Sequence, residues 1–108
     1  MSILEKWAKA VDDRDISTMS ELMHDDYEFT LHSAGKILYK QDVLDWVAMD
    51  DIVATNNRIL YENDEIGVTH AVAKFKSDGN IQGVLSFFRF KDGKLFRHET
   101  GASNLPKE

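Results

Sequence analysis

The sequence predicts one α+β domain, with three helices followed by a long, curved antiparallel sheet. The early segments include apolar side chains at helical spacing, whereas from Thr55 onward the apolar period is two. The links between the later strands are short and rich in Asn, Asp and Gly, which is typical of hairpins. A chain of 108 residues suits one hydrophobic core, so residues 1–108 are expected to form a single domain.

Three helices are predicted in the first half of the chain. The first covers about residues 2–12, the second begins after Asp15, a good N-cap, and the third covers about residues 41–50. Each has an apolar face that can pack on a sheet. These faces consist of Leu4, Trp7, Ala8 and Val11 in the first helix, Met19, Leu22 and Met23 in the second, and Val43, Trp46 and Val47 in the third.

Strands are predicted on both sides of the third helix. Residues 27–31 alternate apolar and polar side chains, which indicates a strand with one buried face, and residues 37–39 form a short strand after a turn at Gly35. The period-two region then predicts four more strands joined by hairpins. They cover about residues 54–62, 65–76, 81–91 and 94–101.

Charged residues indicate which strand faces point inward. A charge rarely lies in a core, so the faces that carry Arg89 and Arg97 should point outward. On strand 65–76 we favour the face that carries His70 as the inward one, which turns Phe75 outward. The inward faces of the last two strands then consist of Val84, Ser86, Phe88 and Phe90, and of Phe96, His98 and Thr100.

Each face of the sheet then suggests a function. The outward face keeps apolar side chains exposed, which favours a homodimer packed sheet to sheet, with Phe75, Ile81, Leu85, Phe87 and Arg97 in its interface. The inward face mixes aromatic and a few polar side chains, as pockets for small apolar or aromatic molecules do. The predicted pocket residues are Trp7, Tyr27, Phe29, Leu31, Trp46, Val72, Ser86, Phe88, Phe90, Phe96 and Thr100.

Composition and missing motifs exclude several classes of protein. The net charge is −6, and residues 1–65 carry 15 Asp/Glu against 6 Lys/Arg, so nucleic acid is not an expected partner. No apolar run approaches the ~20 residues of a membrane helix. The chain has no cysteine and no nucleotide-binding or zinc signature, so no cofactor and no metal site are expected. We expect a soluble, cytoplasmic protein.

The order of elements resembles the NTF2-like superfamily. The resemblance rests on a helix, an Asp-capped helix, "HDDYEF" leading into a strand, a further helix, and a meander containing "FFRFKDGKLFR". Within that superfamily the chain is most similar to the SnoaL-like and ketosteroid-isomerase-like branch. The resemblance implies a cone-shaped, cystatin-like fold with a deep pocket between sheet and helices, usually paired as a homodimer. It implies less about chemistry, because this fold carries enzymes, binding proteins and association modules.

The catalytic residues of the ketosteroid isomerases are not matched in this sequence. By resemblance, their tyrosine donor falls on Trp7, their aspartate base on Leu31 and their protonated aspartate on Ser86. Leu31 cannot accept a proton, so the isomerase reaction lacks its base. Ketosteroid isomerase activity is therefore not expected.

Two functions remain open at this point. The chain is either a pocket protein for an apolar or aromatic metabolite or a non-catalytic, dimeric association module. If the pocket carries out an isomerase, hydratase or cyclase reaction, then His98 or His70 is the candidate base, because imidazole titrates near neutral pH. Whether the chain is an enzyme, and whether the pocket is open or collapsed, stays undecided by the sequence.

Overall fold

The computed structural model describes residues 2–32, 34–49 and 52–105, and it has the predicted succession of helices and strands. The six strands of the described residues form one sheet, in the order β2-β1-β6-β5-β4-β3. Neighbouring strands are antiparallel except β1 and β6, which are parallel. The elements are α1 (Ile3–Asp12), α2 (Ile16–Leu22), β1 (Met23–Leu31), β2 (Lys36–Tyr39), α3 (Lys40–Ala48), β3 (Ile52–Glu62), β4 (Ile66–Phe75), β5 (Ile81–Lys91) and β6 (Lys94–Asn104).

The starts of α1 and α2 are defined by side-chain caps. Ser2 and Glu5 form a reciprocal capping box at α1, and Asp15 accepts hydrogen bonds from the backbone N–H and the hydroxyl of Thr18 at α2. The prediction that Met23 belongs to the second helix is wrong. Met23 has an extended backbone and pairs with Leu95, so the chain passes directly from α2 into β1.

The core lies between the helices and one face of the sheet. Its members come from all three helices and from strands β1, β5 and β6, and the largest fully buried side chains are Leu4, Met19, Met23, Tyr27 and Leu95. Of the described helices, none is long and apolar enough to cross a membrane.

Leu4 of helix α1 packs closely on Gly67 of β4. A Cβ on Gly67 would lie 2.5 Å from Cδ1 of Leu4 and 3.1 Å from Cζ of Phe90, so only glycine fits without rearrangement of this packing. This contact turns the face of β4 that carries Gly67 toward the helices. The other residues on that face are Thr69, Ala71, Ala73 and Phe75.

The predicted inward face of β4 is therefore wrong. His70 and Val72 lie on the face away from the helices, and Phe75, predicted to lie in an outer interface, lies on the inner side. The physical reason is the space left by the helices. Small side chains are needed where α1 packs closely, whereas the pattern analysis assigned the bulkier alternate set to the interior.

A β-bulge changes the predicted face of one aromatic residue. Arg89 pairs with Arg97 while Phe90 pairs with Leu95, so β6 has one extra residue, Phe96, at this point. Leu95 is fully buried, and Phe96 instead contacts the ring of His24 and the guanidinium of Arg97. The prediction that Phe96 points inward is wrong, because the bulge interrupts the period-two alternation of β6.

The close contact at Gly67 leads to a prediction about stability. Gly67→Ala should lower the free energy of unfolding by about 1–3 kcal/mol, the usual cost of overpacking a dense interior. Gly101→Ala is the control, since a Cβ there meets no atom within 4 Å. Urea unfolding followed by tryptophan fluorescence measures both. Equal effects of the two substitutions would contradict the packing argument.

Candidate functional site

A cavity of about 220 Å³ lies between the helices and the inner face of the sheet. Helices α1 and α3 contribute apolar side chains to its wall, and β1, β4, β5 and β6 contribute alternate residues from their inner faces. Predicted site residues on this wall are Trp7, Phe29, Leu31, Trp46, Ser86, Phe88, His98 and Thr100.

The remaining predicted site residues lie elsewhere. Tyr27 is in the core beneath the wall and Phe90 packs beside Gly67, where it is partly buried. Phe96 is displaced by the bulge. His70 and Val72 lie on the outer face, where the imidazole of His70 is close to Gly83. His70 is therefore not part of the cavity wall.

The contribution of β4 to the cavity was not predicted from the sequence. Thr69, Ala71, Ala73 and Phe75 all line it. A signal for this was present: the set that begins at Gly67 has the smaller side chains, and small side chains leave room beneath a helix. The wall also includes Asp12 and Arg14, which lie at and just after the end of α1.

His98 is held in the wall by stacking and by one hydrogen bond. Its ring is stacked between Phe29 and Phe88, with centroid distances of 4.2 and 4.1 Å. Its Nδ1 lies 2.8 Å from the hydroxyl of Tyr27. Its Nε2 is buried and has no hydrogen-bond partner. Among the described residues, it is the one buried side-chain nitrogen or oxygen for which this holds.

Burial determines the protonation state of this pair. It lowers the pKa of His98 to about 3 and raises the pKa of Tyr27, because both charged forms lose the solvation that water gives them. His98 is therefore neutral at pH 7. An imidazole with such a low pKa is a weak base, but it can still donate or accept a hydrogen bond.

The three positions to which the family resemblance assigns the isomerase residues converge on the cavity. Trp7, Leu31 and Ser86 all lie on its wall, and none of them is a carboxylic acid. No group of three His, Cys, Asp or Glu in the described part of the chain could hold a metal ion. The sheet side of the wall thus combines apolar surface with neutral hydrogen-bonding groups, while Asp12 and Arg14 are its charged members.

Hydrogen bonds to backbone oxygens hold the guanidinium of Arg14 in place. Its Nη2 donates a hydrogen bond to the backbone oxygen of Ile52 at 2.7 Å, and its Nη1 donates to that of Val11 at 3.3 Å. The backbone of Arg14 has a φ of 53°, in the left-handed region, which turns the chain sharply between α1 and α2. These bonds connect the end of α1 to the start of β3 beside the cavity.

The neutral state of His98 leads to a prediction about pH. An unfolded chain protonates this imidazole below about pH 6.5, whereas the folded chain does so only near pH 3, so stability is lost as the pH falls through this window. As the pH falls from 7 to 5, His98 should lower the free energy of unfolding by about 2 kcal/mol. His98→Phe, which retains an aromatic ring but does not titrate, should remove that part of the pH dependence.

Urea unfolding at pH 7 and pH 5 measures the effect. Tyr27→Phe is the control, because it removes the hydrogen bond to His98 but keeps the imidazole. The pH dependence should persist in Tyr27→Phe and shrink in His98→Phe. The same pH dependence in the wild type and in His98→Phe would show that His98 does not resist protonation.

A protein-family model and several solved structures resemble this chain. The model, described as a SnoaL-like domain, matches residues 4–98. Wild-type IdmH from Streptomyces antibioticus, a proposed polyketide cyclase, has a TM-score of 0.73 at 20% identity, covering 94% of this chain and 89% of that one. No curated protein matches the chain significantly.

Two further structures have the same fold at lower identity. A proposed ketosteroid isomerase from Kribbella flavida has a TM-score of 0.78 at 13% identity, covering 98% of this chain and 78% of the other. An NTF2-like protein from Cytophaga hutchinsonii has a TM-score of 0.79 at 5% identity, covering 94% and 87%. The predicted NTF2-like α+β fold is confirmed by these likenesses, which at such identities concern the fold alone.

Proposed function

This chain belongs to the SnoaL-like domain family, and we propose that it binds a small apolar or aromatic molecule in the cavity under its helices. The observation that carries the proposal is the cavity itself, about 220 Å³ of space with a largely apolar wall. Aromatic side chains from both layers, Trp7, Trp46, Phe29 and Phe88, contribute flat surfaces to it. A few neutral polar groups then suffice to orient a ligand.

Any reaction at this site would differ from that of the ketosteroid isomerases. The alignment leaves Leu31 at the position of their base, and burial keeps His98 uncharged and weakly basic. Neither nitrogen of His98 is open to a ligand, since Nδ1 is bonded to the hydroxyl of Tyr27 and Nε2 is closed off from solvent. An isomerase, hydratase or cyclase reaction would therefore need a ligand that enolises or cyclises readily. The proposal is accordingly one of binding, with turnover as an additional property to be measured.

Binding can be tested with 2-naphthol as a probe and isothermal titration calorimetry. Ala71→Leu adds three carbon atoms to the cavity wall and should weaken binding at least tenfold, because the side chain occupies the ligand's space. Val68→Leu, on the opposite face of the same strand, is the matched control and should bind as the wild type does. Native mass spectrometry of freshly purified protein would reveal a ligand retained from the cell.

Two outcomes would overturn the binding proposal. One is a wild-type protein that binds no 2-naphthol and carries no releasable mass. The other is equal binding by the wild type and by Ala71→Leu, which would mean that the probe binds outside the cavity.

We also propose that two copies of the chain associate through the outer face of the sheet. Leu85 is 50% exposed there, and Val68 and Phe87 next to it are only partly buried. Arg97, by contrast, is engaged within its own chain, with Glu28 at 3.3 Å and the backbone oxygen of Asp26 at 2.8 Å. An apolar patch of this kind is stabilised by a second copy of the same face.

A charge at the centre of this face should prevent association. Phe87→Asp is expected to convert a dimer into a folded monomer, measured by sedimentation velocity and circular dichroism. Met49→Asp is the control, since Met49 is 73% exposed at the end of α3, on the helical side. A monomeric wild type, or a dimeric Phe87→Asp, would contradict the proposed interface.

The same variant separates pocket binding from the alternative function, a non-catalytic association module. If the chain is a pocket protein, folded Phe87→Asp monomers should bind 2-naphthol as the wild type does, because Phe87 does not line the cavity. An association module would lose its only function with the dimer and would show no cavity ligand.

A further inference from the structure

Three hydroxyl side chains form a row across the cavity wall. Thr69 on β4, Ser86 on β5 and Thr100 on β6 are direct partners across adjacent strands. All three line the cavity, and they are only 8%, 8% and 6% exposed. The row therefore crosses the middle of the inner face rather than its edge.

These hydroxyls have no hydrogen-bond partners within the described part of the chain. They are also not among the unpartnered side-chain atoms that are closed off from solvent, so their oxygens are accessible, and all three residues line the cavity. Thr55 differs, since its hydroxyl bonds to the backbone oxygen of Val72. Buried hydroxyls are normally paired, so the molecule that occupies the cavity, whether water or a ligand, is expected to supply the partners of all three.

The register sets the spacing of the row. Directly opposed residues on antiparallel strands have Cβ atoms about 4.5–5.5 Å apart. This matches the separation of two oxygen substituents in the 1,3 relation on an aromatic ring, whereas the oxygens of a 1,2 isomer lie much closer together. A hydroxyl both donates and accepts, so each position can bind a phenol or a carbonyl oxygen.

The surroundings of the row favour a neutral ligand. On one side lie Phe88 and the uncharged His98, and on the other lie Ala71, Val84 and Ala102. Neither neighbouring row offers a cation, and the guanidinium of Arg14 on the cavity wall already donates to the backbone oxygens of Ile52 and Val11. A carboxylate bound at the row would therefore lose its hydration without gaining an adjacent counter-charge. Flat, apolar surface on both sides suits the ring that carries the two oxygens.

We propose that Thr69, Ser86 and Thr100 form the polar subsite of the cavity and select a neutral aromatic molecule with two oxygens in the 1,3 relation. This inference rests on the proposed function, because it concerns the ligand of the same cavity. Ser86 is the central member and can bind one oxygen while either threonine binds the other.

The test compares isomeric probes by isothermal titration calorimetry. Wild-type protein should bind 1,3-dihydroxynaphthalene about tenfold more tightly than 2,3-dihydroxynaphthalene, the value of one additional hydrogen bond. Ser86→Ala should abolish that preference, and Thr69→Val or Thr100→Val should reduce it, with little volume change. Thr30→Val is the control, since Thr30 points away from the cavity between two residues that line it.

Three outcomes overturn the subsite alone. The first is equal affinity of the wild type for the two diols. The proposed function would still stand in that case if the wild type binds 2-naphthol and Ala71→Leu does not. A preference that survives Ser86→Ala shows that another group reads the oxygens. The third is a loss of stability in Ser86→Ala, Thr69→Val and Thr100→Val while the preference between the two diols is unchanged. That result would assign the hydroxyls a structural role. Failure of every naphthol to bind overturns the proposed function itself, and the subsite with it.

Discussion

The close packing of α1 against β4 at Gly67 is the constraint on which the rest of the structure depends. With no side chain at this position, Leu4 and Phe90 can meet over the strand, and the inner face of β4 is thereby decided. Farther along the same face, Ala71 and Ala73 are too small to fill the space beneath the helices. The cavity is therefore a consequence of one tight contact followed by small side chains, in an interior that is otherwise densely packed.

The second important arrangement is the burial of His98 between two phenyl rings. Stacking on Phe29 and Phe88 holds the imidazole in place, and the hydroxyl of Tyr27 satisfies one of its nitrogens. Low polarity keeps the ring neutral, which removes the positive charge that would otherwise attract an anionic ligand. The hydroxyl row beside it is likewise neutral. This part of the wall is thus suited to hydrogen bonding with uncharged molecules rather than to ion pairing.

The fold of the NTF2-like proteins is retained in this chain, whereas the residues that the family resemblance assigns to the isomerase reaction are not. Its architecture matches the NTF2-like structures over more than nine-tenths of its length, although identity is 20% or less. The positions that align with the isomerase residues nevertheless carry Trp7, Leu31 and Ser86. A backbone cone can be retained while its inner surface changes, since inward positions alternate along every strand and each can be replaced without altering the strand.

The sequence by itself determined the fold class, the order of elements, the Asp15 cap and the inner face of β5, because periodicity, capping and a charged residue are local signals. It also identified much of the wall, including Phe29, Phe88 and His98. Tertiary structure alone decided the rest. The face of β4 depends on how closely a helix packs on it, and the exclusion of Phe96 depends on a bulge against β5. The hydroxyl row depends on the pairing register of three strands, which no local pattern encodes.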